Sequence, residues 1–328
     1  MSESDNARKV GICNQCLENN ISRGYLLAFF GVFAISFDTL LIKLVDNIDI
    51  WVLIFYRYLL YSGMSFLYNF FVERCNIFRE IYKLGYQGLF AIAMISTCNI
   101  CFTMSINYIG VATTLSIFAV SPIMTSLLSW ITFKQEMYIW TKIILVLITS
   151  ILIICNVLNV NEESMIKKEI GYLFAVIAML TTAGYFTILS FNSVHNPNKK
   201  MVLTTFISGF ISSIISLIAI QDYNNLDIDI ESFRWIILQG LIVLPIAFIS
   251  FTNSTKYISG TESNMILILE IVLGPVWVFL AGIETPNTLS IISICLVVVL
   301  LVLNSILSIK RKRIEDSSES IYPKITEV

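Results

Sequence analysis

Histidine occurs once in this chain of 328 residues, at His195, and charged side chains make up only 13% of it. Soluble domains carry about 25% charged residues, so this scarcity excludes an ordinary soluble protein. A GxxxxGK[ST] phosphate loop is missing, as is any soluble domain to house one, which removes work driven by ATP hydrolysis. GxSxG, HExxH and paired-carboxylate motifs are missing too, so an enzyme has little chemistry to work with. No catalytic residue, cofactor or metal is expected. His195, beside Asn196 and Pro197, reads as a solvated loop residue.

Cysteine is sparse and scattered: Cys13, Cys16, Cys75, Cys98, Cys101, Cys155 and Cys295. Four of them fall inside apolar stretches, which argues against a secreted disulfide framework. Cys13 and Cys16 form a CxxC pair, but without a second pair no zinc site can be assembled. The pair reads as part of a disordered tail, with palmitoylation as the minor alternative. The first 22 residues lack the short apolar core of a cleavable signal peptide.

What is abundant is hydrophobicity, at 56% of residues and a mean hydropathy of +0.80. Crossing a hydrocarbon core of about 30 Å takes about 20 apolar residues as a helix. Ten such runs are read, at 24–45, 50–72, 85–106, 111–133, 138–159, 170–192, 201–221, 233–254, 262–282 and 287–309. Runs this long and this continuously apolar are helices and not barrel strands, since a helix satisfies its own backbone in lipid. The expected fold class is an all-α membrane protein.

Basic residues set the expected orientation. With the N-terminus inside, the cytosolic segments hold sixteen Lys and Arg, including Lys310 to Arg313, and the opposite side holds only Lys167, Lys168 and Arg234. Both termini are therefore expected in the cytosol, and plasma and internal membranes both remain open. The sequons at Asn20 and Asn253 then read as chance matches. Trp51, Trp140 and Trp235, near span ends, read as interfacial anchors, and Lys43 as snorkelling to the interface. The basic start of the C-terminal tail reads as a stop-transfer anchor.

The chain also repeats. A shift of 147 lays Gly24 to Ala28 (GYLLA) on Gly171 to Ala175 (GYLFA), and a shift of 149 lays Phe102 to Gly110 (FTMSINYIG) on Phe251 to Ser259 (FTNSTKYIS). Both matches fall at equivalent places in two halves of five helices. An odd number of helices sends the second half into the membrane from the opposite side, and such inverted repeats place a solute site near the midplane where the halves meet. The expected division is a tail at 1–22, repeats at 23–160 and 161–309, and a tail at 310–328.

Glu270 sits inside the span Glu262 to Leu280, with apolar residues on both sides. A carboxylate at the centre of a membrane helix is costly, by roughly 2.5–3.5 kcal/mol on insertion scales, and normally faces a bundle interior or a wet cavity. Under the 149 shift Glu270 falls on Ser121 and Ser263 on Thr114. Residues seven apart share a helix face, so Thr114, Ser121 and Thr125 form one polar stripe and Ser263, Glu270 and Trp277 its counterpart. The two stripes are expected to line a cavity from opposite halves. For the hydroxyls, close packing and bonds back to their own backbone are the simpler reading; for Glu270 that reading leaves the carboxylate without a reason.

Asp38 and Arg57 lie at matching depths, about 10 Å from the expected outer surface at 1.5 Å per residue, and can pair. Two readings stand: a buried pair that fixes packing, or a gate that meets a charged group of the solute. Pro122, Pro245 and Pro275, with Gly184 and Gly274, interrupt spans. Pro122, Gly274 and Pro275 lie in the two equivalent helices and are read as hinges. Asn99, Asn264 and Asn304 are expected to bond between helices, with Asn264 also counted among the cavity residues.

Arg57 in FYRYLL, NYIGVATT leading into SPIMTSLLSW and closing at Glu136, and the counterpart KYISGTESNMILILEIVLGPVWVFLAGIE closing at Glu284 together resemble the EamA-type drug/metabolite transporter superfamily. The resemblance covers most of residues 24 to 309. It departs after position 270, where Ile271 stands in place of the usual proline and Pro275 follows one turn later. What it implies is ten helices and a secondary transporter or facilitator of a small organic metabolite, coupled to protons if Glu270 carries one. The expected partners are that solute, the lipid bilayer and, as an open option, a second copy in a homodimer; nucleic acid has no support. An intramembrane enzyme and a receptor or structural membrane protein are the competing classes.

Overall fold

A computed structural model describes residues 22–45, 48–71, 77–133, 165–196, 199–220, 228–258 and 260–283, with single helical residues at 143, 147, 150, 292, 295, 296, 299, 300 and 303. Every regular element among them is helical. In chain order they are α1 (Ser22–Lys43), α2 (Ile50–Phe71), α3 (Ile77–Ile109), α4 (Val111–Thr132), α5 (Met165–His195), α6 (Leu203–Ala219), α7 (Ile230–Ser254) and α8 (Glu262–Leu280). Seven of these are long and apolar enough to cross a membrane, and α6 is a shorter apolar helix of 17 residues. The protein is an integral multi-pass membrane protein. The spans read at 138–159 and 287–309, and both tails, lie outside the continuous described segments.

Large apolar side chains such as Leu26, Phe30, Phe71 and Leu173 point outward, where lipid leaves nothing polar to bond. Small hydroxyls go inside and return their protons to the preceding turn: Thr103 to the carbonyl of Asn99 at 2.9 Å and Ser212 to that of Ser208 at 2.8 Å. A hydroxyl held this way satisfies itself, so neighbouring helices can close over it.

Breaks in the helices have local causes. Gly85 adopts φ 61°, interrupting α3 at the residue where the apolar run begins, and Gly110 at φ 82° turns the chain between α3 and α4. Gln239–Val243 is a π-helical turn in α7 that ends two residues before Pro245. Proline has no N–H and its ring crowds the carbonyl four residues back; widening the preceding turn relieves both. α4 breaks at Ala119 and Val120, two residues ahead of Pro122, and α8 breaks at Leu267. Those two breaks are equivalent under the 149 shift to within a residue or two. Pro275 and Gly274 lie within the uninterrupted segment Ile268–Leu280.

Contacts recur at the repeat offset. A Cβ added at Gly24 would lie 2.8 Å from both Tyr257 and Ile258, and one at Gly171 would lie 2.8 Å from Tyr108 and 2.5 Å from Ile109. These are the same two glycines, and the same Tyr-Ile pair, that the sequence shifts superimpose. The glycine of each half packs on the dipeptide of the other.

Candidate functional site

The Asp38–Arg57 pair is formed. Arg57 Nη2 donates to Asp38 Oδ2 at 2.5 Å and Nη1 to Thr103 Oγ1 at 3.0 Å, with both charged side chains fully enclosed. Gln239 of α7 completes the set, its amide nitrogen donating to Asp38 Oδ1 at 2.8 Å and to the Asp38 carbonyl at 3.1 Å. The carboxylate thereby ties α1 both to α2 and, across the halves, to α7. Gln239 carries a polar side chain inside a span read as apolar, a signal that sequence reasoning passed over.

A neutral copy of this cluster stands in the second half. Tyr185 O–H lies 3.2 Å from Thr204 Oγ1 and 3.0 Å from Thr252 Oγ1. Under the shifts of 147 and 149, Tyr185 falls on Asp38, Thr204 on Arg57 and Thr252 on Thr103. Helices α1 to α3 and helices α5 to α7 are thus each joined by a buried polar triad, ionic in the first set and hydroxyl-built in the second. Thr204 and Thr252 also bond to the carbonyls of Met201 and Phe248, so neither is orphaned if Tyr185 loses its hydroxyl. Tyr185→Phe should accordingly cost only about 1 kcal/mol, measurable as a small shift in detergent-solubilised thermal unfolding.

The two predicted stripes are only partly brought together. Asn264 of α8 donates to Ser121 Oγ at 2.9 Å and to Thr125 Oγ1 at 2.7 Å of α4, joining the halves. A small pocket lies beside this contact, lined by Phe118, Pro122, Asn264, Leu267, Glu270 and Ile271. Glu270 is 3% exposed and its Oε1 is buried with no hydrogen-bond partner, as is Oδ1 of Asn264.

The remaining stripe residues lie elsewhere. Thr114 bonds back to the Gly110 carbonyl at 2.8 Å, and Ser263 Oγ meets Ser254 Oγ at 2.7 Å. Trp277 stacks on Phe37 with ring centroids 4.8 Å apart, and its N–H donates to Ser36 at 3.2 Å. Its place is against α1. Gly274 gives close passage instead of a visible bend: a Cβ there would lie 2.8 Å from Leu115 and 3.0 Å from Thr39 Oγ1. Pro122 lines the pocket just after the α4 break.

No curated protein matches the chain. A crystal structure of another protein is similar with a TM-score of 0.64 at 12% identity, covering 87% of this chain and 98% of that one. At that identity the likeness is one of fold. Residues 22–157, which open with α1 and run through α4, match the family model of EamA-like transporters. Over that segment, less than half of its length, the chain is similar to the EamA-like transporter family.

Proposed function

We propose that the protein is a secondary transporter or facilitator of a small organic metabolite, working by alternating access of two inverted five-helix halves, 23–160 and 161–309, with both termini in the cytosol and without enzymatic activity. The observation that carries the reading is the buried, unpartnered carboxylate oxygen of Glu270 in a pocket between α4 and α8. A carboxylate in the membrane interior serves packing poorly and a pathway well. The EamA-like match over residues 22–157 and the recurring Gly24 and Gly171 contacts support it. Equivalent breaks in α4 and α8 are what two helices lining a shared path need if each half is to tilt against the other.

The test is solute counterflow in proteoliposomes, with a broad metabolite panel and Glu270→Gln beside the wild type. Loss of a charge-bearing contact is expected to slow exchange at least about tenfold, equivalent to about 1.4 kcal/mol. Exchange at the wild-type rate and with the wild-type pH dependence would remove Glu270 from the mechanism. Counterflow of no solute at all would return the protein to the receptor or structural class.

A further inference from the structure

The pocket beside Glu270 is rich in acceptors and poor in donors. Both amide hydrogens of Asn264 have acceptors at hand, in Ser121 and Thr125, which leaves its Oδ1 facing no donor. Glu270 Oε1 faces none either. The other lining residues are Phe118, Pro122, Leu267 and Ile271, whose side chains carry no hydrogen to give, and Pro122 lacks even a backbone N–H. Asn264 is 0% exposed and Glu270 3%, so bulk water is not the standing donor.

Charge runs the same way. Asp38 and Arg57 form a closed pair at 2.5 Å, and no salt bridge to Glu270 occurs among the described residues. A deprotonated Glu270 would thus be a buried negative charge with no cationic partner among the described residues.

The break in α8 is what assembles the site. In an unbroken helix, residues six apart point about 120° away from one another around the axis, at 3.6 residues per turn. The turn at Leu267 falls between Asn264 and Glu270, and both line one pocket.

We infer that this pocket, which has room for one group about the size of a water molecule, receives the primary or secondary ammonium head of the solute, its N–H donors meeting Glu270 Oε1 and Asn264 Oδ1. The inference rests on the transport reading above and narrows it to a substrate class, the aliphatic or arylalkyl amines. An organic anion would add acceptors where acceptors are already unmet. A quaternary ammonium would match the charge but leave Asn264 Oδ1 without a hydrogen, and an alcohol would supply a hydrogen but no charge.

The test uses full-length purified protein and four probes of one carbon skeleton: phenethylamine, its N,N,N-trimethyl derivative, phenethyl alcohol and phenylacetate. Binding is measured by ligand-dependent thermal stabilisation and transport by counterflow. The wild type should bind the amine at least about tenfold more tightly than each of the other three. Glu270→Gln should lose the amine's advantage over the alcohol, and its integrity is checked by size-exclusion behaviour. The comparison of probes on the wild type needs no variant. Equal or tighter binding of phenylacetate, the alcohol or the trimethyl derivative overturns the proposal, as does failure of the amine to bind. An amine preference unaltered in Glu270→Gln overturns it too. If the amine fails while other panel solutes exchange, the transport reading survives; if no solute exchanges, both are lost.

Discussion

Arg57→Met and Asp38→Asn should each destabilise the purified protein by about 3–5 kcal/mol, the cost of stranding one member of a buried ion pair. Arg57 and Asp38 are at most 1% exposed, so water cannot take the missing partner's place. The simultaneous exchange Asp38→Tyr with Arg57→Thr should cost far less than the sum of the single changes, because neither member of the pair is left as a stranded charge. The second half already carries this solution in Tyr185, Thr204 and Thr252, and Thr103 stands ready in the first half as the counterpart of Thr252. Gln239 keeps one acceptor in that variant, the backbone carbonyl of residue 38, now 3.1 Å away. Chemical unfolding in detergent followed by tryptophan fluorescence reads the three stabilities. A double variant as unstable as the sum of the singles would mean that the two triads are not interchangeable. The same protein separates the two roles weighed for the pair: retained counterflow in a stable double variant leaves it structural, and lost counterflow makes it a gate.

Gly260→Ala should cost about 3 kcal/mol, the upper part of the usual overpacking range. A Cβ there would lie 2.3 Å from the carbonyl oxygen of Phe186 and 3.1 Å from its carbonyl carbon. Backbone atoms of α5 cannot rotate away as a side-chain tip can, so α5 and the helical turn that begins at Gly260 and leads into α8 must separate. Separation also breaks the bond from the Gly260 N–H to Ser190 Oγ at 2.6 Å. The control is Gly63→Ala, on the exposed face of α2 with nothing within 4 Å of the new carbon. That change removes backbone freedom from the unfolded chain and should stabilise by about 0.5–1 kcal/mol. Opposite signs in the two unfolding midpoints are expected; a harmless Gly260→Ala would show that the α5–α8 approach is not tight.

Much of the architecture is legible without coordinates, because lipid imposes a simple rule. Any stretch that crosses must bond its own backbone and present carbon outward, so hydropathy alone locates α1, α2, α3, α4, α5, α7 and α8. The same rule makes a single charge conspicuous, which is how Glu270, Asp38 and Arg57 stand out. The repeat offset carries further than the two matched pentad and nonad stretches suggest, since it also superimposes Tyr185, Thr204 and Thr252 on the ionic triad. Those three went unread because threonine and tyrosine are ordinary residues in a membrane helix and carry no charge to draw notice.

Other features are invisible to periodicity because periodicity assumes a continuous helix. Thr114, Ser121 and Thr125 share a predicted face, yet Thr114 turns back to its own backbone while Ser121 and Thr125 meet Asn264. Trp277, one of a stripe with Glu270, ends against Phe37 of α1. The kinks illustrate the same limit. Pro122 stands within one turn after the break at Ala119 and Val120, as its missing N–H and ring require, whereas Pro275 lies inside an uninterrupted segment and its helix breaks at Leu267.

From the sequence alone, then, come the helical membrane class, seven of the ten spans read, and the buried carboxylate of Glu270. Composition and spacing suffice for these because each depends on the solvent or on the covalent chain. Only the tertiary structure decided that Gln239 reaches Asp38 across 201 positions, and that Asn264 and Glu270 line one pocket with two acceptors unmet. Both depend on where one helix yields against another, and that is set by packing between segments distant in the chain.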